Sequence, residues 1–189
     1  MIPTRDEAHA LLRRYMNDEA LLRHAYAVEG VMRHFARKHG EDEEFWGVVG
    51  LLHDLDYEMY PDQHCIKAGE ILREEGIDET IIRAVVSHGW QLCADVEPIH
   101  LMEKTLYAID ELTGLINATA LMRPSKSVMD LEYKSLWKKY KTANFAAGVD
   151  RGVIERGCEM LGVDLKDIIE ETIQGMRGVA EAIGLAGEA

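Results

Sequence analysis

Four histidines and two aspartates in the first 110 residues stand on, or directly beside, the apolar faces of five expected helices. His24, for example, lies three residues after Leu21 and four before Val28, and His88 lies three residues after Val85. Imidazole and carboxylate groups are costly to bury singly, and side chains of both types that converge are typical ligands of a metal ion. We therefore predict one metal centre from six residues: His24, His53, Asp54, His64, His88 and Asp110.

The prediction of a metal centre depends on how many such residues there are. Any one buried histidine is better interpreted as a core residue that hydrogen-bonds a carbonyl group, but that interpretation is poor for all of them together. The four other histidines lie on polar stretches or near helix ends, and we assign them no role. They are His9, His34, His39 and His100.

Helices are expected to position these side chains, because apolar residues recur every three or four places along most of the chain. Thr4 and Glu7 have the spacing of a capping box, and Gly40 is expected to end the second helix. Further helices are predicted at about residues 45–52, 62–75, 78–88, 100–122, 152–162 and 164–185, with one or two more within 125–150. No alternating pattern typical of a strand is evident, so the sequence predicts an all-α, single-domain helical bundle over residues 1–189.

The composition of the chain argues against some classes of binding partner. The 189-residue chain carries a formal net charge of −13, which argues against duplex nucleic acid and anionic membrane surfaces as partners. No uncharged apolar run approaches the roughly 18 residues of a spanning helix. The three cysteines are widely spaced and form no C-x-x-C pair, which favours a reducing, cytoplasmic setting.

The ordered set of six residues, with the stretches "HCIKAGEILREEGIDETIIRAVVSHG" and "AIDELTGLI", resembles the HD-domain superfamily of metal-dependent phosphohydrolases. The resemblance is strongest over residues 20–117, the expected metal-site core, and the helices of 125–185 are expected to cover the site. It implies that His24, His53, Asp54 and Asp110 hold a first ion. His64 and His88 match the two-metal subgroup, in which the central aspartate, here Asp54, bridges to a second ion.

The same resemblance implies hydrolysis of a small phosphoester or nucleotide by a metal-activated hydroxide, with Asp54 and His53 as catalytic residues. Two divalent metal ions are implied; the transition metals iron and manganese are favoured, and zinc, nickel, cobalt and magnesium are the other candidates. Two alternatives stay open: a di-iron oxygenase that uses the same six ligands, and a non-catalytic metal-binding module. The sequence does not predict an oligomeric state.

The central motif departs from the family pattern. It reads "HDLDY", with Asp56 where many members have glycine. Asp56 and Glu58 are interpreted either as residues that orient the ligand histidines or as caps of the turn, and both interpretations stay open. The lysine that some members carry after this motif is absent here, so Lys67 is a candidate to contact substrate in its place.

A local reversal of charge follows the Asp110 helix. Residues 123–151 hold seven Lys or Arg against three Asp or Glu. This segment could fold over the metal site, where a basic side chain would form a charge-assisted contact with a phosphate oxygen. Arg123 and Lys126 are the substrate-binding candidates, with Lys134 and Arg151 as further ones.

Overall fold

The structure is a computed structural model, and it describes residues 1–187 of the chain. Within this range the architecture is all-α: no strand forms, and only two isolated β-bridges join residue pairs outside the helices. Nine α-helices are described: α1 (Arg5–Tyr15), α2 (Glu19–His39), α3 (Glu43–Leu52), α4 (Ile66–Glu74), α5 (Glu79–Ser87), α6 (Leu101–Leu121), α7 (Tyr133–Tyr140), α8 (Arg151–Leu161) and α9 (Leu165–Arg177). None of the helices among the described residues has both the length and the apolar character needed to cross a bilayer.

Local capping signals in the sequence set the first helix boundaries correctly. The Thr4 side chain accepts a hydrogen bond from the Glu7 backbone, and the Glu7 carboxylate accepts one from the Thr4 backbone, which completes the predicted capping box. Gly40 follows α2 with φ of 71°, a left-handed conformation that glycine adopts without steric cost. These contacts are short in sequence, and for that reason the sequence alone predicts them.

Helices α2 and α6 form the centre of the bundle. Helix α2 packs against α3, α6 and α9, while α6 packs against α5, α8 and α9 as well. The close approach of α3 to α2 depends on Gly50, because a Cβ atom there would lie 2.9 Å from the Val28 carbonyl oxygen. The largest buried side chains between the helices include Trp46, Met32 and Tyr107.

Two predicted boundaries were wrong. The helix expected over 62–75 begins only at Ile66, after a 3₁₀ turn at Pro61–Gln63, because Cys65 has a φ of 67° that no α-helix accommodates. The last helix ends at Arg177 rather than at 185, before Gly178, a poor helix former. Hydrogen-bonded turns continue its apolar stripe to the buried Ile183.

The basic segment contains one helix, α7, followed by turns. Arg151, predicted as a further candidate for phosphate binding, instead donates hydrogen bonds to backbone carbonyls of these turns, including those of Tyr140 and Phe145 at 2.7 Å each. Its guanidinium therefore organises the 140–149 loop. This loop carries Gly148 to the rim of the cleft described below.

Candidate metal centre

Helices α2 and α6 each contribute one side chain from within the helix. His24 projects from α2 and Asp110 from α6, and the His24 Nε2 and Asp110 Oδ1 atoms lie 2.9 Å apart. Because the two helices pack directly on each other, this pair is fixed by the bundle rather than by a loop. Both side chains remain partly exposed to a cleft.

His53 caps the C-terminus of α3 and is completely buried. Its Nδ1–H donates to the Gly50 carbonyl at 2.8 Å, a tautomer assigned from this contact, so the Nε2 lone pair faces inward. That Nε2 atom lies 3.3 Å from Asp110 Oδ1 and 3.3 Å from His24 Nε2. Gly50 thus serves twice, by letting α3 approach α2 and by orienting His53.

The two oxygens of Asp54 face different histidine groups. Oδ2 lies 3.2 Å from His53 Nε2 and 3.6 Å from His24 Nε2. Oδ1 lies 3.3 Å from His64 Nε2 and 3.4 Å from His88 Nε2. The ligand atoms of the six predicted residues therefore form two compact groups that share Asp54: His24, His53, Asp54 and Asp110 in one, and Asp54, His64 and His88 in the other.

His64 and His88 do not lie within helices, contrary to expectation. His88 caps the C-terminus of α5, and His64 occupies the turn before α4 because the positive φ of Cys65 delays the start of that helix. Their Nε2 atoms nevertheless approach to 3.2 Å, and the His88 Nδ1–H donates to the Val85 carbonyl. Helix ends and turns, rather than helix faces, thus present three of the four histidines.

Asp56 orients His64. It is completely buried, and its Oδ1 accepts a hydrogen bond from His64 Nδ1 at 2.8 Å while its Oδ2 accepts one from the Ala68 backbone at 2.8 Å. Glu58 has a different role: it accepts hydrogen bonds from the Asn17 and Asp18 backbones, just before α2. Asp56 therefore supports a ligand histidine, and Glu58, directly after the motif "HDLDY", holds a turn.

Three histidines share one arrangement, in which Nδ1 binds a carbonyl or carboxylate and Nε2 points into the cluster. This arrangement is typical of metal-ligating histidines, whose second nitrogen is held by an outer hydrogen bond. Two pairs of imidazole Nε2 atoms face each other at 3.2–3.3 Å, and too few protons are present to satisfy every contact. A cation bound by both nitrogens of a pair would satisfy them. On this evidence, the residues present fit a divalent metal.

Without a cation, opposite charges would balance one another in the cluster. Burial lowers the pKa of His53, but the Asp54 and Asp110 carboxylates outweigh burial and hold that pKa well above its ordinary value. Burial alone would raise the pKa of each aspartate, yet the neighbouring His53 charge holds both below the usual range. Metal ions compete with these protons, so occupancy would increase with pH.

A cleft of about 450 Å³ opens over both groups. Asp54, His64 and Asp110 line its floor, and Tyr57 and Leu92, both about half exposed, stand among its other lining residues. Glu111 adds a carboxyl group whose pKa is raised to about 7 by burial and by the charge of Asp110. No Lys or Arg of residues 1–187 lines this cleft.

The three predicted substrate-binding residues lie outside the cleft lining. Lys67 forms an ion pair with Glu70 at 2.8 Å. Arg123 is held by Asp130 at 2.8 Å, and Lys126 is exposed in a turn. Of the segment expected to cover the site, Gly148 and Val153 contribute to the lining.

Sequence reasoning missed Tyr57, Cys93 and Glu111 as cleft residues. The sequence could have indicated Glu111 and Tyr57 as cleft residues, since each lies within four residues of a ligand candidate. Cys93 has none, because the 90–99 loop shows no apolar period that would fix its direction.

Comparison with protein families then identifies the chain. A family model described as HD domain matches residues 21–115, half of the chain, and this range contains all six cluster residues. The chain belongs to the HD-domain family. HD domains are typically metal-dependent phosphohydrolases, and the His and Asp clusters of this HD domain could hold such a metal. A comparison with solved structures gave no significant match.

Proposed function

We propose that this HD domain hydrolyses a small phosphoester or nucleotide with two divalent metal ions. The position of Asp54 carries the proposal, because each of its oxygens faces a separate set of histidines. His24, His53 and Asp110 would complete one site, and His64 and His88 the other. A bridging carboxylate holds paired ions about 3.5–4 Å apart in known two-metal hydrolases.

The donor set limits the identity of the ions. Imidazole and carboxylate ligands suit iron, manganese, cobalt, nickel or zinc, and no cysteine belongs to either of the two groups. Iron or manganese is favoured by the resemblance to two-metal HD domains. The free thiols Cys65, Cys93 and Cys158 support a cytoplasmic location.

Bound ions of this kind lower the pKa of a coordinated water and offset the negative charge of a phosphoryl group. The chain orients the ligands for such ions, because Gly50 and Asp56 fix the Nδ1 protons of His53 and His64. Because the cleft lining of residues 1–187 includes no Lys or Arg, the chain itself supplies no cationic side chain to a phosphate there. The cleft volume of about 450 Å³ fits a small ligand, and Tyr57 and Leu92 offer apolar surface to its organic part.

Metal content and turnover test the proposal together. Protein purified without added metal should contain two ions per chain, measured by plasma mass spectrometry, and should hydrolyse members of a panel of phosphomonoesters, cyclic dinucleotides and nucleoside phosphates. Asp54→Ala should lose both ions and all turnover. His34→Ala is the matched control, since His34 binds Glu171 at 2.7 Å away from the cleft and its loss should change neither.

Each alternative has a distinct outcome. Oxygen uptake by iron-loaded protein, without phosphate release, would identify an oxygenase instead. Two bound ions with no turnover of any substrate class would favour a non-catalytic metal-binding module.

A further inference from the structure

Two cysteines from different elements touch beside the second histidine group. Cys65 lies directly before α4 and Cys93 lies in the turn after α5, and their Sγ atoms are 3.1 Å apart. Both are free thiols, as is Cys158 on α8. Neither Cys65 nor Cys93 has a part in the proposed hydrolysis.

The backbone around the pair is shaped to keep the sulfurs in contact. A Cβ atom on Gly89 would lie 2.4 Å from both Sγ atoms, so any larger residue at this position would displace them. Cys65 itself adopts a φ of 67°, a backbone conformation that residues other than glycine rarely adopt. This conformation places Cys65 against a turn that lies 28 residues away in sequence.

The two thiols differ in access. Cys93 is only partly buried and lines the cleft, whereas Cys65 is completely buried. A small oxidant that enters the cleft would therefore meet Cys93 first. Cys65 would then be the thiol in contact with the oxidised Cys93 sulfur.

We propose that Cys65 and Cys93 form a reversible disulfide that controls binding of the second metal ion. With hydrogen peroxide as oxidant, the Cys93 thiolate attacks one oxygen, the O–O bond breaks, and the released hydroxide takes up a proton to become water. Cys65 sulfur then attacks the Cys93 sulfenic acid, the S–S bond forms, the S–O bond breaks, and a second water leaves. Two thiols are oxidised by two electrons while peroxide is reduced to two waters, and a dithiol reductant reverses the change.

The consequence for metal binding rests on the proposed function, although the disulfide itself does not. Closing the bond shortens the sulfur separation from 3.1 Å to about 2.05 Å, so the segments that carry the cysteines must move. His64 is the residue before Cys65, and Cys65 Sγ lies 3.9 Å from His88 Nε2. We expect affinity for the second ion to fall about tenfold, the size of effect typical of disturbed ligand orientation.

The first experiment tests the disulfide on the full, metal-free chain. Reduced protein, freed of reductant, is treated with hydrogen peroxide and analysed by thiol counting after denaturation and by mapping of cross-linked peptides. Free thiols should fall from three to one, with a Cys65–Cys93 link within one chain and full recovery after dithiothreitol. Cys158→Ser should still form the link, and Cys93→Ser should not.

Three outcomes would overturn the disulfide: three thiols that persist, an oxidised Cys93 beside a free Cys65 thiol, or links only between two chains. The second experiment titrates Mn²⁺ into reduced and peroxide-treated protein by calorimetry. Weaker binding of one ion after oxidation, absent in peroxide-treated Cys93→Ser, supports control of the second site, and equal affinities refute it. Failure of both forms to bind Mn²⁺ would instead count against the proposed function, with the disulfide judged separately by its peptide map.

Discussion

Asp56→Asn is expected to weaken the second metal site and spare the first. Asp56 accepts two hydrogen bonds, one from His64 Nδ1 and one from the Ala68 backbone, each at 2.8 Å. An asparagine offers only one acceptor atom. If its oxygen serves Ala68, its amide donates to His64 Nδ1, and the proton moves to Nε2, where it blocks the lone pair that faces Asp54. If the asparagine amide is flipped, its NH₂ group would instead face the Ala68 backbone N–H, and two donors would oppose each other.

Either arrangement of the asparagine should lower both the affinity for the second ion and the stability of the fold. Loss of an outer partner of a ligating histidine typically lowers metal affinity about 10- to 100-fold, or about 1.4–2.7 kcal/mol. The lost charge-assisted hydrogen bond should also lower the free energy of unfolding by about 1–3 kcal/mol, because Asp56 is completely buried. Among the described residues, the hydrogen bonds and the ion pair of Asp56 go to His64 and Ala68 and not to His24, His53 or Asp110, so the affinity of the first site should change little.

Calorimetric titration of metal-free protein with Mn²⁺ measures both sites in one experiment. Asp56→Asn should retain one ion near the unmutated affinity and bind the other 10- to 100-fold more weakly, while circular dichroism shows an unchanged helical spectrum. Glu58→Gln is the matched control, since Glu58 belongs to the same turn but accepts its hydrogen bonds from the backbones of Asn17 and Asp18 rather than from a ligand histidine. Two ions bound by Asp56→Asn with unmutated affinities would refute the assigned role of Asp56.

Three other substitutions test separate parts of the structure. His88→Ala should leave one bound ion by plasma mass spectrometry and lower phosphoester turnover at least tenfold with little change in thermal stability; normal hydrolysis with one ion would exclude the two-metal proposal. Gly157→Ala should lower the free energy of unfolding by about 1–3 kcal/mol in a denaturant titration, because the new Cβ would lie 2.4 Å from Ala108 Cβ and 2.6 Å from its Cα. Its control, Gly114→Ala, meets only an atom at 3.8 Å and should be neutral or stabilising. Burial and the charge of Asp110 raise the pKa of Glu111 to about 7 in the folded protein. In metal-free protein, the contribution of Glu111 to stability is therefore complete below a pH of about 4.5 and is lost as the pH rises to about 7. Relative to Glu111→Gln, the unmutated protein should therefore lose about 1–2 kcal/mol of stability over that pH range, after a discount for partial exposure, and parallel profiles would contradict the shift.

The helical architecture followed from local features of the chain. Apolar spacing determines which face of each helix is buried, and contacts such as that of Thr4 with Glu7 fix a helix start within one turn. The same periodicity predicted that His24 and Asp110 face the cluster from within helices, and both do lie inside long helices, away from their ends. It failed at Cys65, where the backbone conformation depends on the turn against which the residue packs.

The basic segment shows a different limit of sequence reasoning. Arg123 and Lys126 were candidates for phosphate contact by their charge, and Lys67 by its position after the central motif, but the structure places none of them in the cleft lining. Arg123 and Lys67 pair with nearby acids instead. Charge patterns show that a basic side chain exists, whereas the choice of its partner depends on distances set by folding.

The sequence by itself determined the all-α class, the HD-domain family and the six residues that converge, because residue type and helical period are local properties. Only the tertiary structure decided that each oxygen of Asp54 faces its own histidine group and that Asp56 rather than Glu58 supports His64. It also brought Cys65 and Cys93 into contact over Gly89. Such pairings depend on turn geometry and on helix packing between distant segments, and no periodicity along one chain encodes the distance between them.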